Sequence, residues 1–415
     1  MTHYDYSWHA KGLTEQILPF WDQAFDNEHG GVFTCYSNLG DHLLSTDKYV
    51  WSQGRMLWCL SEMLVSDVVS RELGNQRRAL YGVQAKSLYR FLHTHVLLDE
   101  EQGVCAFLTD RYGNIKEAAP SKGLYASFYV DCFVIMGYAR YAVLIGDEHV
   151  AYEAVDIFRR MLAFMELNGV RTEPYVLPAG FTTQAVAMIL CNTAWVLAKA
   201  LESLELPEAP WFADFSRERA CEILNGFYDP QRKLLREVVA PARYDGTLLA
   251  RHYNPGHAIE CMWFTLDCLG DPTLIDRMAA IVLTSLELGW DRQHGGLLRY
   301  VDRDGDRPHG PSGTTEFEKL IERTWDYKLW WPHAEALYCT ARMYRATGNT
   351  AFLDWYWQLK DYVDKVFPAE TGREWIQIRT RTGAPLETVV ALPVKDPYHI
   401  MRMHILSMEL FGNHE

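Results

Sequence analysis

Apolar residues recur at helical spacing in successive stretches of the chain, and turn-rich loops separate these stretches. The first stretch, 7–25, places Leu13 and Ile17 on one face, which predicts an amphipathic helix. A β-branched and aromatic run followed by Asn, Gly and Asp over 32–41 predicts a short strand and a tight turn. A second helix is predicted over 48–64. The chain therefore begins with a helix, a decorated loop and another helix.

The same order of parts recurs five more times, which indicates internal repeats. Among the loops, 99–110 resembles a hairpin and 374–378 resembles a strand. The DxxHGG segments that start at Asp26 and Asp291 set the register, at roughly 66 residues per repeat over four intervals. The later helices are predicted in pairs over 76–96 and 123–144, 149–167 and 182–201, 211–227 and a stretch from 254, 272–290 and 328–344, and 350–367 and 395–410.

The second helix of each pair is the more apolar one. The helix over 182–201 is nearly without charge, and a helix that is apolar on most sides must be buried. Six buried helices inside six amphipathic ones predict an all-α fold, an (α/α)6 barrel. It would form one domain over 1–415, with short β-hairpin loops at its mouth. A linear solenoid of helix pairs fits less well, because neither end of the chain has the polar character of a capping repeat.

The composition, 48% hydrophobic and 23% charged, is that of a folded protein. A net charge of −14 with no basic stripe argues against nucleic acid as a partner. The nine cysteines are scattered without a CxxC pair, which indicates neither a disulfide framework nor a zinc site and favours a cytoplasmic location. The N-terminus lacks the features of a signal peptide, and no apolar run reaches about 18 residues, so no membrane association is expected.

Polar side chains mark the starts of the apolar helices. In a barrel these starts converge at one mouth, where burying an unpaired charge is costly, so a cluster there implies mutual pairing or a polar ligand. Structural salt bridges are the simpler explanation for Lys48 and Lys328. The chain also has 14 Trp and 23 Tyr, and such flat side chains commonly line sugar-binding clefts. The polar and aromatic residues at the helix starts are Lys48, Trp51, Arg55, Asn254, His257, Glu260, Trp331, His333, Glu335, Lys395, Tyr398, His399 and Arg402.

His257 and Glu260 stand three residues apart after Asn-Pro-Gly, so on a helix both project from one face. A histidine beside a carboxylate is suited to acid–base chemistry, because the carboxylate orients the ring and adjusts its pKa. Neither this HxxE pair nor the HxE pair of His333 and Glu335 forms an HExxH or three-ligand pattern, so no metal is predicted. The sequence contains neither a Walker P-loop nor a Rossmann fingerprint, and no Ser or Cys nucleophile with an adjacent base is visible.

Six motifs occur in an order that is specific as a set: HGGVFTC, KYVWSQGRMLW, NPGHAIE, GWDRQHGGL, KLWWPHAEA and VKDPYHIMR. Over about residues 20–402 the chain resembles the N-acylglucosamine 2-epimerases, whose wider relatives include cellobiose 2-epimerases and mannose or sulfoquinovose isomerases. The resemblance implies an (α/α)6 barrel. By position, it also implies an acid–base pair and three active-site partners, namely His257 and His399 with Arg55, Glu260 and Glu335.

The resemblance further implies that the indoles of Trp331 and Trp375 face the sugar. Trp51, Asn254 and His333, which lie at helix starts, are candidates for substrate binding. The segments WSQGR and KLWWPHAEA are closest to the N-acylglucosamine branch. The substrate expected from these features is a monosaccharide.

Three positions depart from the patterns of these enzymes. Met188 stands where cellobiose epimerases and the isomerases usually carry His, and Val394 stands where cellobiose epimerases place Trp. Thr324 precedes Trp325 where the N-acylglucosamine enzymes tend to carry Glu. No glycine-rich segment resembles the one associated with nucleotide activation in that branch. The sequence therefore leaves open whether the sugar carries a 2-hydroxyl or a 2-acetamido group, and whether a nucleotide activates the protein.

The function predicted on this basis is epimerisation at C2 of a free aldose or an N-acylated hexosamine. One histidine would remove the C2 proton, and the other would deliver a proton to the opposite face of a cis-enediolate, with no cofactor. An aldose–ketose isomerase would use the same intermediate and return the proton to C1. A glycosidase that uses Glu260 and Glu335, and a non-enzymatic binding module, are further alternatives. The sequence leaves open whether the chain forms a homodimer.

Overall fold

A computed structural model describes residues 5–98, 103–118, 123–369 and 374–412. The chain is mostly helical, which confirms the all-α class. A π-helical turn, Gly12–Ile17, joins the first two helices. The helices in chain order are α1 (Tyr6–Lys11), α2 (Leu18–Trp21), α3 (Val50–Val65), α4 (Asp67–His95), α5 (Tyr129–Ile145), α6 (Glu148–Asn168), α7 (Gln184–Ser203), α8 (Ala209–Gly226), α9 (Leu248–Arg251), α10 (Pro255–Leu269), α11 (Pro272–Gly289), α12 (Glu316–Thr324), α13 (Trp330–Thr347), α14 (Ala351–Val366) and α15 (Tyr398–Gly412).

Six of these helices form a closed inner ring, in which α3, α5, α7, α10, α13 and α15 each contact the next and α15 returns to α3. An outer helix packs against each member of the ring: α4, α6, α8, α11 and α14 follow their inner partners, and α1 covers α15. Burial distinguishes the two layers, since α3 buries 13 of its 16 residues and α4 buries 8 of its 29. The alternation of apolar and amphipathic helices in the sequence therefore corresponds to an inner and an outer layer.

Two glycines allow neighbouring inner helices to approach closely. A Cβ atom on Gly54 of α3 would lie 2.6 Å from the backbone carbonyl of Phe133 on α5. A Cβ atom on Gly137 would lie 2.7 Å from the carbonyl oxygen of Gly54. Because any side chain at either position would collide with backbone, these glycines bring the start of α3 against the aromatic face of α5.

Short antiparallel strand pairs lie directly before four of the inner helices. The three-stranded sheet has the order β1-β2-β3, and the other pairs are β4 with β7, β5 with β6, β8 with β9, and β10 with β11. The strands are β1 (Lys48–Tyr49), β2 (Leu108–Thr109), β3 (Ile115–Lys116), β4 (Thr182–Thr183), β5 (Tyr228–Asp229), β6 (Leu234–Leu235), β7 (Val238–Val239), β8 (His252–Tyr253), β9 (Val301–Asp302), β10 (Lys328–Leu329) and β11 (Ile378–Arg379).

The structure corrects several predicted boundaries. The predicted strand within 32–41 contributes only isolated bridges, and most of 374–378 lies outside a strand. Residues 99–102 of the predicted hairpin lie outside the described residues. Helix α4 begins earlier than predicted and is interrupted at Gly74, where φ is 71°. Helix α12, whose capping box joins Thr315 to Glu318, was missed because it lies inside a long loop rather than in the repeat pattern.

Two buried lysines hold the DxxHGG loops against the starts of inner helices. Lys48 Nζ lies 3.0 Å from Asp26 Oδ2, and Lys328 Nζ lies 3.2 Å from Asp291 Oδ2. Burial lowers the pKa of Lys328 to about 8, and the charge of Asp291 opposes that fall. These pairs agree with the structural explanation of Lys48 and Lys328, since each lysine ties a loop to the helix that follows it.

Helix α7 has the length and hydropathy of a membrane-spanning helix, but 78% of its most apolar window is buried inside the fold. Its position in the inner ring accounts for its lack of charge, because neighbouring helices cover it on most sides.

Candidate active site

A cavity of about 170 Å³ opens at the end of the inner ring where the strand pairs lie. All six inner helices contribute side chains to it, which fits the convergence predicted for the helix starts. Loop residues from between the helices complete the wall. The lining residues from the inner helices include Trp51 and Arg55 of α3, Tyr129 and Phe133 of α5, Met188 of α7, His257, Glu260 and Phe264 of α10, Trp331 of α13, and Tyr398, His399 and Arg402 of α15.

Seven of the ten predicted site residues line this cavity, namely Trp51, Arg55, Asn254, His257, Glu260, Trp331 and His399. Glu335 lies directly behind His399 and bonds to it. His333 and Trp375 lie elsewhere. The fourth and sixth repeats therefore deliver their histidines to one cavity.

The position of His257 depends on the start of α10. Asn254 caps this helix, since its Oδ1 accepts the backbone N–H of His257 at 3.2 Å, and Pro255 occupies the first turn. The ring Nδ1 of His257 lies 2.9 Å from Oε1 of Glu237, in the segment between β6 and β7. Glu260, the partner predicted from HxxE spacing, does not bond to this ring, so Glu237 is the carboxylate that orients His257.

His257 and Glu237 each shift the pKa of the other in the direction that favours the charged form. Burial lowers the pKa of His257, but the charge and hydrogen bond of Glu237 outweigh burial and raise it. Burial raises the pKa of Glu237, and the nearby His257 reverses that effect, so this pKa is lowered. The ionised carboxylate accepts from Nδ1–H, which leaves Nε2 as the ring nitrogen available for proton transfer.

The second histidine, His399, has its own carboxylate. Its Nδ1 lies 2.7 Å from Oε1 of Glu335. The same carboxylate accepts Nη2–H of Arg402 at 2.7 Å and the indole N–H of Trp263 at 2.9 Å. Burial raises the pKa of Glu335, but Arg402 and His399 lower it to about 2. Glu335 is therefore ionised, and it positions His399 from behind the cavity wall.

Glu260 forms a hydrogen bond with Arg402 rather than with His257. Nη2 of Arg402 donates to Glu260 Oε1 as well as to Glu335, so one guanidinium joins two carboxylates. Ligand atoms of Glu260, Glu335 and His399 lie within 4.8 Å of one another, which is close enough for metal coordination. In this arrangement Arg402 already supplies the positive charge that the two carboxylates require.

Arg55 lies on the α3 side of the cavity. Its Nη1 donates to Oδ2 of Asp396, which precedes α15. Its guanidinium carbon lies 3.9 Å from the ring centroid of Phe133 and 4.9 Å from that of Tyr398. Sequence reasoning missed Asp396 because it lies 341 residues from Arg55. The ion pair and the two rings hold the guanidinium at the cavity wall.

Trp331 borders both histidines. Its ring centroid lies 5.1 Å from that of His257 and 5.8 Å from that of His399. Gly256 makes room for this indole, since a Cβ atom there would lie 2.7 Å from Trp331 Cζ3. Two imidazoles from distant parts of the chain therefore meet around one aromatic side chain.

His333 and Trp375, both predicted to bind substrate, do not line the cavity. The Nε2 of His333 accepts the backbone N–H of Leu297 at 2.8 Å, and Nδ1 lies 2.6 Å from the carbonyl oxygen of Leu329. Burial lowers the pKa of His333 to about 3, so the ring is neutral and holds the loop after α11. Trp375 is 1% exposed and stacks on Phe367 in the core. On α13, a two-residue step from Trp331 turns His333 away from the cavity.

Glu237 and Arg299 are further cavity residues that sequence reasoning missed. Both lie in loops, and neither belongs to the helix-start pattern. Gln184, the first residue of α7, donates to Glu237 at 3.3 Å, so the position of this carboxylate depends on contacts between repeats.

Comparisons with known proteins identify the family of the chain. The family model of N-acylglucosamine 2-epimerase (GlcNAc 2-epimerase) matches residues 31–403. N-acylglucosamine 2-epimerase of Rattus norvegicus is 28% identical over 411 residues, which is 96% of this chain and 90% of the relative. Cellobiose 2-epimerase of Ruminococcus albus is 26% identical over 94% of this chain and 95% of the relative.

Solved structures share the fold. A sugar epimerase from a ruminal bacterium superposes with a TM-score of 0.75 at 21% identity, covering 97% of this chain and 98% of that chain. A D-mannose isomerase superposes with a TM-score of 0.72 at 15% identity, covering 98% of this chain and 97% of that one. With a family model that matches most of its length, the chain belongs to the N-acylglucosamine 2-epimerase family.

Proposed function

We propose that the protein is a cofactor-independent isomerase that inverts C2 of a free aldose or an N-acylated hexosamine. The observation that carries this proposal is the pair of carboxylate-bound imidazoles, His257 and His399, around Trp331 in one cavity. The family assignment and the names of the relatives support the same reaction. We further propose that the closed ring of six helix pairs is an (α/α)6 barrel, and that 1–415 is a single catalytic domain.

The reaction requires two proton transfers on opposite faces of one carbon. The sugar ring opens first, because only the open aldehyde makes the C2 proton acidic. One histidine then removes this proton, and the other protonates the far face of the cis-enediolate. His257 and His399 exchange roles when the reaction runs in reverse. Each such acid–base contribution is typically worth about 10²–10⁴-fold in rate.

Arg55 would stabilise the negative charge that develops on oxygen as the enediolate forms. Its guanidinium lines the cavity and is already held by Asp396, so it needs little reorganisation during the reaction. Trp331 offers an aromatic face to the C–H surface of the sugar between the two histidines. The chain supplies all these groups from its own side chains.

The glycosidase alternative is disfavoured by the state of its two carboxylates. A glycosidase needs one carboxylic acid whose pKa is raised so that it can protonate the leaving group. Glu260 and Glu335 instead share the guanidinium of Arg402. Burial alone would raise the pKa of Glu335, but Arg402 and His399 lower it to about 2. Neither residue has the environment of a general acid.

We also propose a cytoplasmic location, with a monosaccharide as partner. All nine cysteines are free thiols, and eight of them are buried. Free thiols on this scale suit a reducing compartment.

The decisive experiment is NMR of glucose, mannose, N-acetylglucosamine and N-acetylmannosamine, each incubated with the protein in D₂O. We expect the C2 epimer of at least one sugar to form with deuterium at C2. A ketose product would instead indicate an aldose–ketose isomerase. The H257N/H399N double variant is the control and should give neither product nor label. Absence of turnover and of label from all four neutral sugars would contradict the proposal for simple aldoses.

A further inference from the structure

One cationic side chain at the cavity differs from the others in how its charge is balanced. Arg299 lines the cavity and is 3% exposed, yet it has no carboxylate partner within the part of the chain that the structure describes. The remaining cationic and imidazole groups of the cavity each have one: Arg55 pairs with Asp396, Arg402 with Glu260 and Glu335, His257 with Glu237, and His399 with Glu335.

Neutral groups hold Arg299 in place. Its Nη1 donates to Oγ1 of Thr324 at 3.0 Å, and its Nη2 donates to the carbonyl oxygen of Val390 at 3.1 Å. Its Nε is buried without a hydrogen-bond partner among the described residues. A guanidinium has five N–H donors, and the hydroxyl groups of Tyr175 and Tyr300, which also interact with it, are neutral as well. The group is fixed in orientation, but its charge is not neutralised.

The charge of Arg299 lies in the wall of the same cavity as His257 and His399. Burial lowers the pKa of His257, Glu237 raises it, and the charge of Arg299 opposes Glu237. The guanidinium carbon also lies 5.0 Å from the ring centroid of Tyr300, another lining residue. Because Arg299 and His257 line one cavity of about 170 Å³, a single sugar bound there can contact both side chains.

We propose that Arg299 binds an anionic substituent of the sugar, at a carbon away from C1 and C2. The substrate class is then a hexose or hexosamine that bears a carboxylate or a phosphate. A planar guanidinium matches both oxyanions, and a buried cation without a carboxylate is otherwise costly. This inference rests on the proposed C2 chemistry and assigns specificity within it.

A purely structural role is the competing explanation, because Arg299 also joins the end of α12 to the segment at Val390. In that role the two hydrogen bonds matter and the charge does not. Variants that remove or neutralise the charge while the fold persists separate the two explanations.

The test compares kcat/KM for D-glucose with that for D-glucuronate and D-glucose 6-phosphate. We expect the wild-type protein to prefer at least one anionic sugar, and the two anions distinguish a carboxylate from a phosphate specificity. R299M should lower kcat/KM for that sugar on the order of 30-fold or more relative to the change it causes for D-glucose. R299K, which keeps a charge but loses the fork, should retain part of the preference.

T324E provides a second route with a matched control. A carboxylate at position 324 would face Nη1 of Arg299 and satisfy its charge internally, so T324E should lose the preference for the anionic sugar. T324Q has the same size without the charge and should keep the preference. Thermal unfolding of each variant confirms that it is folded.

Several results would overturn the inference. Equal kcat/KM for neutral and anionic sugars in the wild type would do so, as would an R299M variant that loses activity on both to the same extent. Calorimetric titration with D-glucose 6-phosphate and with D-glucuronate tests the anion site independently of turnover. Binding that R299M and T324E abolish supports the site even if no sugar reacts, whereas failure of both anions to bind contradicts it. Absence of turnover with anion binding intact would count against the C2 chemistry alone.

Discussion

The sites of His257 and His399 share one hydrogen-bond geometry but have different electrostatic surroundings. In each, Nδ1 of the imidazole lies against a carboxylate oxygen, at 2.9 Å from Glu237 and 2.7 Å from Glu335. Glu237 has a neutral amide as its other side-chain partner, whereas Glu335 also accepts a hydrogen bond from Arg402. Nη2 of that arginine lies 3.4 Å from Nδ1 of His399.

The difference shows that one hydrogen-bond geometry can place an imidazole in two unlike electrostatic surroundings. The charge of Glu237 outweighs burial and raises the pKa of His257. At the His399 site, the guanidinium of Arg402 already balances the charge of Glu335. The two proton-transfer groups therefore need not respond equally to the loss of their carboxylates.

The largest effect is expected from removing either imidazole. H257N and H399N should each reduce the rate of C2 epimerisation by about 10²–10⁴-fold, since each removes one of the two proton-transfer groups. Each variant should still exchange the C2 proton of the one epimer whose hydrogen faces the remaining histidine. NMR of each separate epimer in D₂O measures both quantities.

H149N, at an exposed position on α6, is the control for this comparison and should match the wild type. Exchange of both epimers by a single-histidine variant would contradict the division of labour between the two sites.

The next largest effect concerns stability at the His399 site. E335Q removes the carboxylate that His399 and Arg402 share, and Glu260 remains as a partner of Arg402. We expect a loss of about 3 kcal/mol in the free energy of unfolding, because a buried ion pair is broken. Urea denaturation at neutral pH measures this loss, with E237Q as the comparison, for which a smaller loss is expected.

The loss should also depend on pH. The pKa of Glu335 is lowered from its ordinary value of 4.5 to about 2 in the fold, after its neighbours overcome the effect of burial. Its contribution to stability is therefore complete above pH 4.5 and disappears as pH falls towards 2. The difference between wild type and E335Q should shrink over this window, and a constant difference would count against an ionised Glu335.

A smaller effect is expected at the His257 site from E237Q. Without the carboxylate, burial is no longer outweighed, so the pKa of His257 should fall. The limb of the pH–rate profile of kcat/KM that reports this ionisation should move to lower pH. E260Q is the matched comparison and should move it less, since Glu260 bonds to Arg402 rather than to His257. A larger shift in E260Q than in E237Q would contradict this assignment. It would indicate that Glu260, the partner expected from HxxE spacing, adjusts the pKa of His257.

The smallest effect is expected from N254A, which removes the N-cap of α10. We expect a loss of about 1 kcal/mol in the free energy of unfolding, because the backbone N–H of His257 loses its acceptor. N254D keeps a capping oxygen and should retain most of that stability. Thermal or urea unfolding distinguishes the two variants.

Local patterns in the sequence determined the helices and their layers. The 3.6-residue periodicity and the excess of apolar residues in every second helix depend only on near neighbours, so they predicted the inner ring. Turn chemistry at Asn254, Pro255 and Gly256 predicted the start of α10, and with it the placement of His257. The same reasoning brought His257, His399 and Arg55 to one end of the fold. Resemblance to a known family added their chemical roles, which stay predictions.

Only the tertiary structure decided which side chains pair. Glu237 lies 20 residues from His257, and Glu335 lies 64 residues from His399, so no local pattern indicated either pair. Glu260, the carboxylate nearest to His257 in the sequence, bonds to Arg402 instead. His333, like the cavity residues, lies at the start of an inner helix in the sequence, but its ring faces a loop. Charge pairing in a buried cavity depends on distances between separate elements, and those distances arise only when the ring closes.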